Sequence, residues 1–313
     1  MINLDMFLIF IVDILVVLIL TGFVSLCERR VLALVQIRIG PALFLFGILT
    51  PITDGIKLFI KFVIFVISVD ILYLIGAMFI TSFCIFIGWF YFPIGFILVF
   101  DTGFTITVMM AVHIFSSMFS TFFVGCFLFT SCFVYLSAMR TMFFSIISES
   151  GLFILYITIY ALDYFCFFGI KDICVGQIYI ANFYIAGVLF IGLFWISMLL
   201  DGLKLPFDYM ECESELVAGL ITELSGIFFV IYSVLEINHV LLATLLFASL
   251  CFGGLFICFK AIVILVFGFF YPRVIGYRLK ITTAQSFVLI FLYWMCVFIF
   301  AWICFTKIIS LIF

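Results

Sequence analysis

Residues 63–91 read VIFVISVDILYLIGAMFITSFCIFIGWFY, and Asp70 is the one charged side chain among 29 positions. A helix crosses the hydrocarbon core of a bilayer with about 20 apolar residues, so this stretch is long enough to span a membrane. The pattern recurs along the chain. Apolar runs at about 5–27, 63–91, 102–126, 132–162, 182–201, 216–237, 243–271 and 284–306 predict eight spanning helices. The sixth and seventh are separated by a turn expected at Glu236–Leu241, where Asn238 and His239 interrupt the apolar sequence. The expected fold is all-α: one polytopic membrane domain over residues 1–313.

Composition agrees. Hydrophobic residues make up 69% of the 313 positions and charged residues 9%, against about 45–50% and about 25% in soluble domains. The 48 Phe outnumber the 13 basic and 16 acidic residues together. So few charges cannot cover a water-exposed surface, which excludes a soluble globular protein and a disordered one. A net charge of −3 leaves no basic face for nucleic acid. The Phe- and Ile-rich composition fits an AT-rich organellar gene, since codons for both residues are rich in T and A.

Neither metal nor haem chemistry is visible. The 11 Cys include no C-x-x-C pair, and iron–sulfur or zinc sites need clustered ligands. His113 and His239 are far apart in the chain and read as isolated buried polar residues rather than paired haem ligands. The first apolar run is too long for a cleaved signal peptide, contains Asp13, and ends in Glu28-Arg29-Arg30.

Basic residues set the orientation. Arg29, Arg30, Arg38, Lys57, Lys61, Arg140, Lys204, Arg273, Arg278 and Lys280 are ten of the 13 cations, and all belong to odd-numbered loops or their flanks. Those loops are expected on the negative side of the membrane, with both termini opposite.

Acids inside spans cost about 2.5–3.5 kcal/mol each on the insertion scale and mark polar paths or paired groups. Asp13, Asp70, Glu149, Glu223 and Glu236 fall within predicted spans. The connection 201–215 is acidic. Asp208, Glu211, Glu213 and Glu215 place four carboxylates in eight residues, with Lys204 the adjacent cation and Asp201 at the membrane end. Carboxylates this close repel one another and can share protons.

The connection 28–62 begins with Glu28, Arg29 and Arg38, ahead of Gly40-Pro41. Within it, Pro51 suits a helix start. Asp54, Lys57 and Lys61 then recur at spacings of three and four, among Ile56, Leu58, Phe59 and Ile60. This predicts an amphipathic helix lying on the membrane surface.

These stretches resemble the quinone-site membrane subunits of respiratory complex I, the NADH dehydrogenase subunit 1 family. The family pattern E-R-K-x-L-x-x-x-Q-x-R-x-G-P-N is met by Glu28, Arg29, Leu32, Gln36, Arg38, Gly40 and Pro41. P-x-A-D-x-x-K-L-x-x-K-E is met by Pro51, Asp54, Lys57, Leu58 and Lys61. A-L-R…I-x-Y-E is met by Ala138, Arg140, Ile146 and Glu149. The acidic motif A-E-T-N-R-x-P-F-D-L-x-E-G-E-S-E-L-V-x-G is met by Pro206, Phe207, Asp208, Glu211, Glu213, Ser214, Glu215, Leu216, Val217 and Gly219, with Glu223 following; Asp201 and Lys204 keep the charges of Glu and Arg. Tyr271-Pro272-Arg273 matches Y-P-R, but Gly276-Tyr277-Arg278 stands where the family has Arg-Tyr-Asp. The W-S-G-W-A-S segment before the fourth span is missing.

The resemblance implies a subunit of a proton-translocating NADH:ubiquinone oxidoreductase in the mitochondrial inner membrane. Such a subunit takes ubiquinone as substrate and binds no metal, haem or iron–sulfur cluster itself. Its partners are the hydrophilic quinone-module subunits, neighbouring membrane-arm subunits and lipid. Glu28, Arg29, Arg38, Asp54, Lys57, Phe207 and Arg273 are expected around the quinone portal and tunnel. Glu149, Asp201, Asp208, Glu211, Glu213, Glu215, Glu223 and Glu236 are expected on a proton path, with Arg140 and Lys204 biasing their ionisation. Two other readings fit the same acids: a proton-coupled secondary transporter, and the membrane subunit of an energy-converting hydrogenase. The absence of a visible internal repeat weighs against the transporter.

Overall fold

The computed structural model describes residues 2–42, 47–63, 71–91, 111–116, 132–162, 184–202, 205–208, 219–252 and 257–312. Among these, every regular element is helical. In chain order they are α1 (Ile2–Val35), α2 (Thr50–Ile60), α3 (Ile71–Tyr91), a helical stretch at 111–116, α4 (Cys132–Leu162), α5 (Tyr184–Asp201), a 3₁₀ turn (Gly219–Glu223) and α6 (Ile227–Phe252). Two interrupted helices close the chain. The first is α7 (Ile257–Val263), a π-helical stretch (Ile264–Phe270) and α8 (Tyr271–Ile275). The second is α9 (Ile281–Ser286), a π-helical stretch (Phe287–Tyr293) and α10 (Trp294–Ile312). Among the described residues, six helical spans are long and apolar enough to cross a membrane, and Gly187–Asp201 adds a shorter apolar helix. The all-α polytopic reading holds.

The outer surface is apolar, unlike that of a soluble protein. Leu72, Phe79, Val188, Ile262, Phe267 and Ile290 face outward, as lipid contact requires. The interior is mostly apolar and also holds hydroxyls: Ser137, Thr141, Ser145, Ser148 and Thr158 on α4, Ser197 on α5, and Thr244 and Ser249 on α6 are all buried. Each bonds back to a carbonyl three residues earlier, as Ser137 does to Val134 at 2.8 Å and Thr244 to Leu241 at 2.8 Å. A small residue satisfied on its own helix lets another helix approach closely. The central element is α6, with 83% of its apolar window buried against 17% for α1. Apart from Glu236, Asn238, His239 and a few hydroxyls its sequence is apolar on every side, as suits a helix surrounded by other helices. It packs on α1, α2, α3, α5 and α7.

The sixth and seventh spans differ from expectation. No turn lies at Glu236–Leu241; those residues sit inside α6, which runs unbroken from Ile227 to Phe252. Asn238 and His239 are polar because they point into the protein interior, where both are buried, and not because the chain reverses. The break comes earlier, at Leu224–Gly226. Gly226 has φ +55°, and a Cβ there would stand 3.2 Å from the Lys61 carbonyl and 3.3 Å from a Val63 methyl. Glycine supplies both the left-handed backbone and the space, so the start of α6 nests against the end of α2.

The long helix α1 ends in a Schellman motif. Ile37 N–H donates to the Leu34 carbonyl at 3.2 Å, and Arg38 N–H donates to the Ala33 carbonyl at 3.0 Å. Ile37 occupies the left-handed position at φ 53°, where glycine is usual and a β-branched residue costs about 1–2 kcal/mol.

Close packing between α4 and the last interrupted helix depends on Gly151. An added Cβ would lie 2.7 Å from Leu292 Cδ2. Replacing Gly151 with Leu is expected to cost about 1–3 kcal/mol by overpacking. The thermal midpoint of the detergent-extracted assembly checks this, and an unchanged midpoint would show that the contact is slack.

Candidate functional site

One end of the bundle gathers the polar connections. The amphipathic helix is present as α2, with no buried residue and with Ile52, Ile56, Phe59 and Ile60 exposed. A helix that buries nothing within its own chain while presenting this apolar face suits a membrane surface. Arg29 Nη1 and Asp54 Oδ2 form an ion pair at 2.7 Å that ties α2 to the end of α1. Lys57 and Arg38 are exposed, and Arg38 Nε donates to Gln36 Oε1 at 2.6 Å. Glu28 pairs with Arg273 of α8. Arg278 donates through Nε to the Asp208 carbonyl at 2.9 Å, with Nη2 on the same oxygen. The sequences 28–62, 205–208 and 273–278 therefore meet.

A cavity of about 680 Å³ opens beside these contacts. Its wall includes Trp195 and Leu199 of α5, Phe207, Phe267, Tyr271 and Phe287. The size lies within the range of small-molecule sites, roughly 300–1,000 Å³. Both π-helical stretches contribute to it, through Phe267 and Phe287. A π turn shifts the carbonyl register and recurs at functional positions. Here the Gly268 carbonyl accepts a hydrogen bond from Trp195 Nε1 at 2.7 Å, which leaves the wall almost wholly apolar.

Deeper in the bundle lies a polar cluster that the sequence reading separated. His113 and His239 are adjacent in space. Their rings stack at 4.3 Å between centroids with 5° between planes. His113 Nε2 stands 3.1 Å from Asp201 Oδ2, and His239 Nε2 stands 3.9 Å from the same oxygen. Ser148 Oγ reaches Asp201 Oδ1 at 3.4 Å. All four residues are buried. The reading of the two histidines as unrelated fails because residues 111–116 bring His113 against α6, and α6 continues through a site read as a turn. The usable signal was His239 lying three residues after Glu236, one helical turn away on an otherwise apolar helix. Two unit charges about 4 Å apart repel by about 4 kcal/mol at an effective dielectric of about 20, so the stacked rings do not both carry charge.

The ligand atoms of His113, Asp201 and His239 lie within 4.8 Å of one another, close enough to consider a metal. An imidazole lone pair lies in its ring plane. In two parallel stacked rings no single ion lies in both planes, so coordination would require one ring to turn.

Of the other predicted proton-path residues, Glu149 is buried on α4 beside Ser148, and Arg140 is half-buried on the same helix. Glu236 is half-buried on α6, Asp208 is half-buried beside the cavity, and Glu223 ends the 3₁₀ turn. Lys204, Glu211, Glu213 and Glu215 lie outside the described residues, as does Asp70.

Comparison with known proteins identifies the chain's relatives. The NADH dehydrogenase family profile matches residues 7–307. The NADH-ubiquinone oxidoreductase chain 1 of Leishmania tarentolae is 83% identical over 313 residues, covering all of both chains. The protein of the same description from Mytilus edulis is 30% identical over 242 residues, 76% of this chain and 77% of that one. Its counterpart from Artemia franciscana is 29% identical over 270 residues, 83% of this chain and 85% of that one.

The two ion pairs differ in burial. Arg29 and Asp54 are 56% and 47% exposed, and Arg273 and Glu28 are 22% and 17% exposed. Asp54→Asn is expected to cost below about 1 kcal/mol, as exposed pairs do. Glu28→Gln is expected to cost about 2–3 kcal/mol, short of the figure for a fully buried pair. Thermal inactivation of the assembled complex orders the two, and a larger loss for Asp54→Asn would contradict the assignment.

Proposed function

The chain belongs to the NADH dehydrogenase family as a membrane subunit of NADH:ubiquinone oxidoreductase, respiratory complex I, and we propose that within it the chain forms the ubiquinone entrance and part of the quinone tunnel and links quinone reduction to proton translocation in the mitochondrial inner membrane. The apolar cavity of about 680 Å³, with the Arg278–Asp208 contact next to its lining residues Phe207 and Leu279, carries this reading. A quinone has an apolar isoprenoid tail and a polar head. The tail favours lipid and apolar walls, at about 0.8 kcal/mol per buried CH₂. The head needs hydrogen-bonding and charged groups. The exposed apolar face of α2, with Arg29–Asp54 and Glu28–Arg273 beside it, offers an approach from lipid. Phe207, Phe267 and Phe287 would hold tail carbons in the cavity. Arg38, Lys57 and Arg273 would meet the more polar end of the route.

Reduction of a quinone to a quinol takes up two electrons and two protons. Electrons arrive from redox centres in partner subunits of the hydrophilic arm. This chain's part is electrostatic. Asp208, Glu211, Glu213 and Glu215 form the quinone-side end of an acid path, and Asp201, Glu149, Glu223 and Glu236 continue it, with Arg140 and Lys204 biasing which acids are ionised. Charges held where water is scarce respond strongly to a change nearby, because each tenfold change in proton affinity corresponds to about 1.4 kcal/mol. Uptake of protons and loss of quinone then redistribute protons along the path.

Two measurements test these roles. Phe287→Trp narrows the cavity and is expected to lower quinone reduction about 10-fold, as positioning defects do, while NADH oxidation by an artificial acceptor continues. Equal loss of both activities in fully assembled complex would remove the cavity from the route. Glu149→Gln and Glu223→Gln keep side-chain shape without titration and are expected to uncouple or stop proton translocation. Normal rates and a normal proton-to-electron ratio would make those acids structural.

A further inference from the structure

We propose that His113, Asp201 and His239 form a buried proton-relay node, in which one proton passes between two imidazoles through the single carboxylate oxygen they share. The inference rests on the acid-path reading and adds two positioning residues that the acids alone do not supply.

Geometry carries it. The imidazoles come from different elements, His113 from 111–116 and His239 from α6, and both turn Nε2 toward Asp201 Oδ2. His113 Nε2 is the nearer at 3.1 Å and His239 Nε2 the farther at 3.9 Å, and Oδ2 accepts a hydrogen bond from neither ring as they stand. A small swing of Asp201 or of either ring brings one Nε2 or the other into line with Oδ2, so the node has two settings. Ser148 Oγ, which also faces the Ser145 carbonyl at 3.0 Å, lies 3.4 Å from the other carboxylate oxygen. His239 also hydrogen-bonds the His113 main chain. Its Nε2 has no hydrogen-bond partner, so that bond is made by Nδ1. The main-chain bond fixes the ring and leaves Nε2 as the working atom. His113 Nδ1 is buried with no hydrogen-bond partner among the described residues.

The transfer balances. A His113 imidazolium gives its Nε2 proton to Asp201 Oδ2, leaving a neutral imidazole and a neutral acid. The acid gives a proton from that oxygen to His239 Nε2, restoring the carboxylate and forming a His239 imidazolium. Stacking forbids charge on both rings at once, so the node carries one excess proton at a time. Histidine suits the task because a ring nitrogen can both take up and release a proton. The neighbouring titratable groups are Glu149 and Tyr156 on α4 and Glu236 and Cys251 on α6; Tyr156 interacts electrostatically with both Asp201 and Cys251. Glu236 lies one turn before His239, which makes it the next acceptor in line.

The test uses assembled complex in proteoliposomes, with decylubiquinone as acceptor. His113→Gln and His239→Gln are each expected to slow quinone-driven proton translocation by about 10-fold or more, since positioned proton-transfer groups contribute at least that, while NADH oxidation by an artificial acceptor is unchanged. In unmutated complex with isotope-labelled histidine, infrared difference spectra on quinone reduction are expected to show conversion between imidazole and imidazolium. That second arm needs no variant to fold. Absence of a labelled histidine band, normal translocation in either variant, or stoichiometric metal bound at the cluster would overturn the node. If Glu149→Gln stops translocation while both histidine variants translocate normally, the acid path stands and the node falls. If all three translocate normally, the acid path falls as well.

Discussion

The buried carboxylate of Asp201 is the constraint around which the membrane domain is packed. Water is scarce at such a position, so the charge must be met by protein groups. Four elements converge to meet it: 111–116 with His113, α4 with Ser148, α5 with Asp201 itself, and α6 with His239. Hydroxyls bonded back to their own helices let those elements approach, and Gly151 admits the last interrupted helix beside α4. The same α5 that ends in Asp201 also gives Trp195 and Leu199 to the cavity wall. The cavity and the buried carboxylate are therefore two faces of one helix, which gives a physical route for binding at one to be felt at the other.

Much of the fold was legible in the sequence because lipid imposes a simple rule: about 20 apolar residues per crossing and no unpaired backbone polar group. The span read as 132–162 coincides with α4, and the amphipathic stretch at Pro51–Lys61 became α2. The reading failed where polarity had two meanings. Asn238 and His239 looked like a turn because turns are polar, yet a buried polar seam is polar too, and nothing local separates the cases. The true break at Gly226 left only a glycine as its mark. The π-helical stretches left no signal, since they register a shift in hydrogen bonding and not a change in residue type.

The site divides in the same way. Motif spacing pointed to Glu28, Arg29, Asp54 and Arg273, and the structure joins them as two ion pairs. Spacing did not pair them with one another, because partners far apart in the chain leave no periodic trace. Nor did it join His113 to His239, whose contact exists only once α6 is continuous. Arg278 departs from the family pattern, yet it holds the Asp208 carbonyl beside the cavity. It holds residue 208 against the segment between α8 and α9.

The central claim is that the apolar cavity receives the quinone tail, with the acid path beginning at its rim. A cryo-EM map of the assembled complex with a bound long-tailed quinone analogue tests it most directly. The account predicts tail density along Leu199, Phe207, Phe267 and Phe287, entering past α2. An empty cavity, with the tail lodged between other helices in a map that resolves these side chains, would contradict it.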